Sequence, residues 1–316
     1  MKRCKKKWAL CAALALLFLL TTPHSAAAGS APIAQNITLR AYRNTPCTAT
    51  FKATDRSGLG LAYELAEAPR HGTVAIEADG AHFTYTPAKN RTGSDSFTYV
   101  AVDSAGGSSQ PATVRITVER PDTAVTYADM GGSSACTAAI DLAEQGVFVG
   151  QCVGGEYFFE PARTVTRGEF VAMAMKAAGE RAEQTGVTGF CDDAAIPTWA
   201  KGYAAGALRC GLIRGVGTAE GAAFAADEAI TLGEAATVLD RLLKVTDVAL
   251  ADYGETDAWS AQAAANLISV SVLPSGSFSG ERLSRALTRA EAAELLSAAM
   301  TLSQKKNGGL LARLLG

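Results

Sequence analysis

Three tetrads of the form Thr-x-x-Glu recur in the second half of the chain, and they constrain the fold more than any other feature. They are Thr166-Arg167-Gly168-Glu169, Thr231-Leu232-Gly233-Glu234 and Thr288-Arg289-Ala290-Glu291, spaced 65 and 57 residues apart. A second landmark keeps a similar period. Asp129, Asp192 and Asp252 are 63 and 60 residues apart, each two places after an aromatic or apolar residue. Trp199 and Trp259 lie seven residues beyond their aspartates, and Phe159 and Phe224 lie seven before their threonines. Two independent landmarks with one period indicate a threefold repeat.

Each unit reads as two helices. The first is expected near residues 138–144, 199–209 and 259–267, with Gly146 and Gly211 as stops in the first two units. The second begins at the tetrad. Thr166 with Glu169, Thr231 with Glu234 and Thr288 with Glu291 have capping-box spacing, in which the Thr hydroxyl accepts a backbone N–H and the Glu reaches back to the N-cap N–H. A two-helix unit buries little alone, so the three should pack on one another. Capping does not explain the arginine, because a cation at a helix start opposes the macrodipole. Beside free N–H groups it makes an anion site instead, and its planar guanidinium can grip a carboxylate through two hydrogen bonds.

Residues 31–120 are written differently. Seven short alternating runs, at 37–42, 48–53, 61–65, 72–76, 82–85, 95–102 and 112–118, are separated by turn residues such as Asp79-Gly80. That spacing indicates a β-sandwich. The expected architecture is therefore multidomain: an all-β sandwich over 31–120, then an all-α bundle of three helix pairs over 124–180, 187–245 and 248–302. A tail, 303–316, has no assigned role.

Residues 1–28 read as a secretory signal. Lys2 to Lys7 precede an apolar run from Trp8 to Leu20, and Ser25-Ala26-Ala27-Ala28 supplies small residues for cleavage. The run is short for a membrane span of about 20 residues, and no second run of spanning length follows. The whole chain has 29 basic and 31 acidic residues. Removing the five basic residues of the leader leaves 24 against 31, a charge of −7. An acidic mature chain argues against a general nucleic-acid binder and against a polybasic membrane-surface protein.

Five cysteines follow the leader. They match no zinc motif, so an exported chain would use them as disulfides or as buried apolar residues. Cys136 with Cys152 and Cys191 with Cys210 are the natural local pairs, which leaves Cys47 over. Asp55, Asp95 and Asp103 are candidate calcium ligands or ordinary turn residues, and turn chemistry is the simpler account. His71 reads as a surface-loop residue.

The runs Ala68-Pro69-Arg70-His71-Gly72-Thr73-Val74, Phe83-Thr84-Tyr85-Thr86-Pro87, Gly93-Ser94-Asp95-Ser96-Phe97-Thr98-Tyr99 and Val102-Asp103-Ser104-Ala105-Gly106-Gly107 resemble bacterial Ig-like and cadherin-like modules. Such modules serve as spacers or adhesive domains, with surface proteins or host ligands as partners. The repeat landmarks resemble three tandem S-layer homology (SLH) domains over residues 126–302. Thr288-Arg289-Ala290-Glu291 matches that signature in full, unit one has Gly for Ala, and unit two has Leu232 for Arg. Unit one has Cys136 at the Trp spacing, and unit three has Glu281 at the Phe spacing.

The resemblance implies a secreted cell-surface protein held non-covalently to a secondary cell-wall polysaccharide. The ligand it implies is pyruvylated and sits in grooves between units. Arg167 and Arg289 would be the contacts, and the Leu232 groove would be silent. Trp199 and Trp259 have two readings, a sugar-stacking face or core packing. A second overall reading is a subunit that assembles laterally into an S-layer-like array. No Gly-x-Ser-x-Gly, His-Glu-x-x-His or phosphate loop occurs, so no enzyme, metal site or cofactor is expected.

Overall fold

The computed structural model describes residues 31–305 apart from 57 and 132. The expected leader and the tail beyond residue 305 lie outside the described residues. Among the described residues, the N-terminal half contains the strands β1 (Ile33–Ala34), β2 (Ile37–Tyr42), β3 (Cys47–Thr50), β4 (Ala53–Thr54), β5 (Leu61–Glu67), β6 (Gly72–Ile76), β7 (His82–Pro87), β8 (Gly93–Asp103) and β9 (Ala112–Glu119). One sheet has the order β2-β9-β8-β5, with β2 parallel to β9, and the other β3-β7-β6. Alternate residues of β8 and β9 are buried, among them Phe97, Tyr99, Val114 and Ile116, as a sheet covering one core requires.

The run at residues 48–53 is two strands rather than one. β3 pairs with β7 and β4 pairs with β1. Between them Phe51 turns inward against Tyr63, Phe83 and Tyr99, with ring centroids 4.7–4.8 Å away. The Tyr99 hydroxyl donates to the Lys52 or the Gln35 carbonyl, 2.7 and 2.6 Å away. A buried aromatic thus breaks the strand, because its ring is worth more in the core than one more ladder bond.

The acidic turn residues are occupied by backbone. Asp95 accepts N–H groups from Arg70, His71 and Ser96 and the Tyr85 hydroxyl at 2.9 Å. Asp103 accepts from Ala105 and Gly107, and Asp55 from Leu59. His71 lies at the turn into β6 with its N–H held by Asp95.

The C-terminal half contains α1 (Cys136–Glu144), β10 (Gln151–Val153), β11 (Glu156–Phe158), α2 (Arg167–Ala177), α3 (Thr198–Arg209), β12 (Val216–Thr218), β13 (Gly221–Ala223), α4 (Leu232–Leu243), α5 (Ala261–Ser269), α6 (Gly280–Ser284) and α7 (Arg289–Lys305). It is therefore not all-α. The hairpins β10–β11 and β12–β13 fill the inter-helix connections of the first two units, and the short helix α6 stands in the third. These strands are three residues long, too short for a periodic pattern to show in the sequence.

The five described cysteines are free thiols in the structure, so neither local pair is formed there. Cys152 is exposed on β10, whereas Cys136 starts α1 and is half-buried. Cys191 lies beside Thr218, and Cys210 ends α3.

The halves touch through β2. Tyr42 is buried among residues of the helical core. Its hydroxyl lies 2.7 Å from Asp141 Oδ1 and 2.6 Å from Glu144 Oε2. Arg40 pairs with Asp141, which also accepts from the Ser297 hydroxyl.

The first helix of each unit ends through a left-handed residue: Gly146 at φ 66°, Gly211 at 73° and Ser271 at 58°. The next N–H then returns to the helix, from Val147 to Leu142, Leu212 to Ala207 and Val272 to Leu267, at 2.8–2.9 Å. Only the third unit makes this turn with a side chain, at a cost of about 1 kcal/mol. Ser271→Gly should stabilise the protein by about that amount, read as a higher Tm.

Asp95 offers a second test. Its burial works to raise the pKa, but the bonds from Tyr85 and the N–H groups of Ser96, His71 and Arg70 hold it below the usual value. A carboxyl depressed in the folded state stabilises above its unfolded pKa, and that contribution drains as the pH falls through the folded value. Thermal melts of Asp95→Asn should show a lower Tm than wild type at neutral pH and a difference that shrinks in strong acid. A constant difference at every pH excludes the linkage.

Candidate functional site

The tetrads form reciprocal caps. Glu169 N–H donates to Thr166 Oγ1 at 3.2 Å, and Thr166 N–H donates to Glu169 Oε2 at 3.0 Å. Thr231 with Glu234 repeats this at 3.2 and 2.9 Å, and Thr288 with Glu291 at 3.3 and 2.9 Å. The residue before each threonine leaves its own unit. Val165 N–H donates to the Leu287 carbonyl at 3.0 Å, Leu287 N–H to Ile230 at 2.9 Å, and Ile230 N–H to Val165 at 3.0 Å. These three bonds close a ring with one member from each repeat, and all three side chains are buried.

The repeated aspartates hold a turn. Asp129 accepts the N–H groups of Phe159 and Glu160 at 2.9 and 2.6 Å, and Asp192 those of Phe224 and Ala225 at 2.8 and 2.7 Å. Glu160 and Ala225 both have positive φ, 55° and 53°. The tetrad arginine of another unit then takes the free carbonyl of the same turn. Arg167 Nη1 donates to Phe224 O at 3.0 Å, and Arg289 Nη1 donates to Phe159 O at 2.7 Å. Each phenylalanine turn is thus gripped by an aspartate of its own unit and an arginine of another.

Leu232 occupies the arginine position facing unit three. Its N–H donates to the Arg285 carbonyl at 2.9 Å, and its side chain is buried in the same cluster as Leu283 of α6. Unit three has no phenylalanine turn at that point. The missing arginine of unit two and the missing phenylalanine of unit three are two halves of one absent contact.

The two arginines differ in access. Arg289 is 3% exposed. It also pairs with Glu160 at 2.9 Å and lies over the Phe148 ring at 5.0 Å. This guanidinium, expected to contact ligand, is held in the structure by Glu160 and the Phe159 carbonyl and braces unit three against unit one. Arg167 pairs with Glu234 at 2.6 Å and lines a cavity of about 150 Å³.

That cavity brings together Arg167, Trp259 and Glu234 with Arg214 and Arg241, over an apolar floor that includes Leu212 and Phe224. Three arginines and one glutamate are among the lining residues, and of the three it is Arg167 that pairs with Glu234. Arg241 Nη1 donates to the Leu212 carbonyl at 2.9 Å. Burial first, and the neighbouring Arg214 second, hold Arg241 below its ordinary pKa. Trp259 is 71% exposed, so core packing does not explain it. Trp199, 52% exposed, stands with its ring edge beside Gly168 and does not line the cavity. Sequence reasoning passed over Arg214 and Arg241 because neither belongs to a tetrad. The signal was two extra cations in the one unit whose tetrad lacks its own.

Replacing Arg289 tests the brace. Arg289→Ala strips a charged hydrogen bond from a buried carbonyl and should cost about 1.5–3 kcal/mol of stability. Equal denaturation midpoints for variant and wild type count against the structural role.

Residues 29–120 match the family described as bacterial cadherin-like domain. No curated protein matches the chain. Among solved structures, the chain is similar to an endo-fucoidan hydrolase of glycoside hydrolase family 107, at 20% identity over 28% of this chain and 14% of that one, with a TM-score of 0.25. It is also similar to a mutant SrpA adhesin from Streptococcus sanguinis, at 17% identity over 40% and 81%, with a TM-score of 0.24. A third is BT4661, a SusE-like surface located polysaccharide binding protein from Bacteroides thetaiotaomicron, at 15% identity over 31% and 16%, with a TM-score of 0.22. The chain thus spans less than a fifth of the hydrolase and of BT4661. The residues that match a family form a bacterial cadherin-like (Ig-like) domain.

Proposed function

We propose that this is a bacterial cell-surface protein whose helical half holds an acidic cell-wall polysaccharide and whose cadherin-like domain is displayed outward. The cadherin-like domain fits a surface or secreted protein, and no described helix is long and apolar enough to cross a membrane. The observation that carries the anchoring reading is the cavity at Arg167, Arg214, Arg241 and Trp259. Its excess of guanidinium suits a carboxylate, because fork-like N–H pairs match two oxygens. The exposed indole beside it suits the apolar face of a sugar ring. The volume takes the charged end of a polymer rather than its length, as expected for a terminal pyruvyl ketal.

The resemblance to SLH triplets supports the same ligand class but places the contact differently. Arg167 contributes while also bracing unit two, and Arg289 does not take part. The protein acts as an anchor and not as an enzyme in this reading. An acidic chain gains nothing from long-range attraction to an acidic polymer, so affinity rests on these few placed cations.

Binding of the protein to purified walls, before and after the secondary polymers are removed, is the direct measurement. Wild type should pellet with intact walls and stay in solution with depleted ones. Arg214→Ala combined with Arg241→Ala should lower affinity at least tenfold, since losing one side of a charged contact costs about 2–5 kcal/mol. Equal binding to depleted walls removes the anchoring reading, and unchanged affinity of the double variant removes the site.

A further inference from the structure

Cys47 is the thiol that local pairing left over, and the fold gives it a neighbour in the other half of the molecule. It starts β3, is buried, and lies with its thiol 3.5 Å from the Arg40 carbonyl on β2. The same β2 carries Arg40 and Tyr42 to Asp141 and Glu144, which brings α1 against the sandwich. Cys136 is the first residue of α1. Thr137, next to it, has a buried hydroxyl that faces the Cys47 thiol without an aligned hydrogen bond. Pro46, bonded to Cys47, and Cys136 line one cleft between the halves. Burial first, and the nearby Cys47 second, push the Cys136 thiol up to about 11. Cys152, Cys191 and Cys210 are all exposed.

We propose that Cys47 and Cys136 are a thiol pair that oxidation joins into a disulfide between the cadherin-like domain and the first repeat. The oxidant is another disulfide, either a small molecule or a protein. Cys136, the more accessible sulfur, loses its proton and attacks that disulfide, forming a mixed disulfide and releasing one thiol. Cys47 then loses its proton, attacks the Cys136 sulfur and releases the second thiol. The pair gives up two electrons and two protons, and the oxidant is reduced to two thiols. The raised thiol pKa makes the first attack slow at neutral pH, while burial of Cys47 shields the finished bond from reductants. The closed loop contains most of the sandwich and the linker, so the bond fixes how the outward domain sits on the anchor.

The experiment is oxidation of the full chain with excess oxidised glutathione, followed by blocking of the remaining thiols and peptide mapping. The expected result is a peptide joining Cys47 to Cys136, two hydrogens lighter than the sum of its parts. The oxidised protein should melt higher than the reduced one, and that difference should vanish in Cys136→Ser. Recovery of Cys47 as a blocked free thiol, as a glutathione adduct, or joined to Cys152, Cys191 or Cys210 overturns the pairing. The wild-type peptide map decides the question even if a serine variant folds poorly.

Discussion

The ring of three hydrogen bonds among Val165, Ile230 and Leu287 is the constraint on which the helical half depends. Each member gives one N–H to one neighbour and one carbonyl to the other. Two repeats cannot close such a ring. All three residues are buried, so an open ring leaves backbone groups without water, at about 1–3 kcal/mol for each unsatisfied group. The tetrads begin one residue later, which means the ring also sets where the second helices start. The capping threonines, the arginines that follow them and the cavity beyond are held in register by bonds that involve no side chain.

Around that ring the phenylalanine turns act as fasteners. An aspartate on one side and an arginine on the other satisfy the N–H groups and the carbonyl of a strained turn. Glu234 takes part twice, since one oxygen caps its own helix and the other pairs with Arg167. Where the arginine is absent, the turn it would hold is absent too, and Leu232 is buried in the apolar cluster that also holds Leu283. An apolar contact has replaced a polar one as a pair, which avoids a buried carbonyl without a donor. Unit two contributes cations of its own to the lining of the cavity, Arg214 and Arg241.

Much of this was legible in residue spacing. The capping boxes, the six long helices of the repeats and six of the seven sandwich runs follow from local rules that need no knowledge of the neighbour. The tetrad arginines illustrate the limit. Their position at a helix start argued for an anion, and the anion Arg289 meets is Glu160, 129 residues away in sequence. No local pattern separates an arginine that awaits a ligand from one that braces its own protein. Tyr42 is a second case. Its alternation places it on a strand, but its hydroxyl belongs to α1 in the other half. The hairpins β10–β11 and β12–β13 were hidden because three-residue strands carry no period.

The interface at Tyr42 changes what the sandwich contributes. Asp141 is buried on α1, and a buried carboxylate without partners costs several kcal/mol. Within the helical half its side chain is met by the Ser297 hydroxyl. The cation and the phenol, Arg40 and Tyr42, both come from the sandwich. The first repeat is therefore completed by the domain that precedes it. A helical half without the sandwich would expose the apolar ring site of Tyr42 and leave Asp141 with one hydroxyl. The two halves read as separate domains in sequence because each has its own period, yet the charge at the end of α1 is balanced only when both are present.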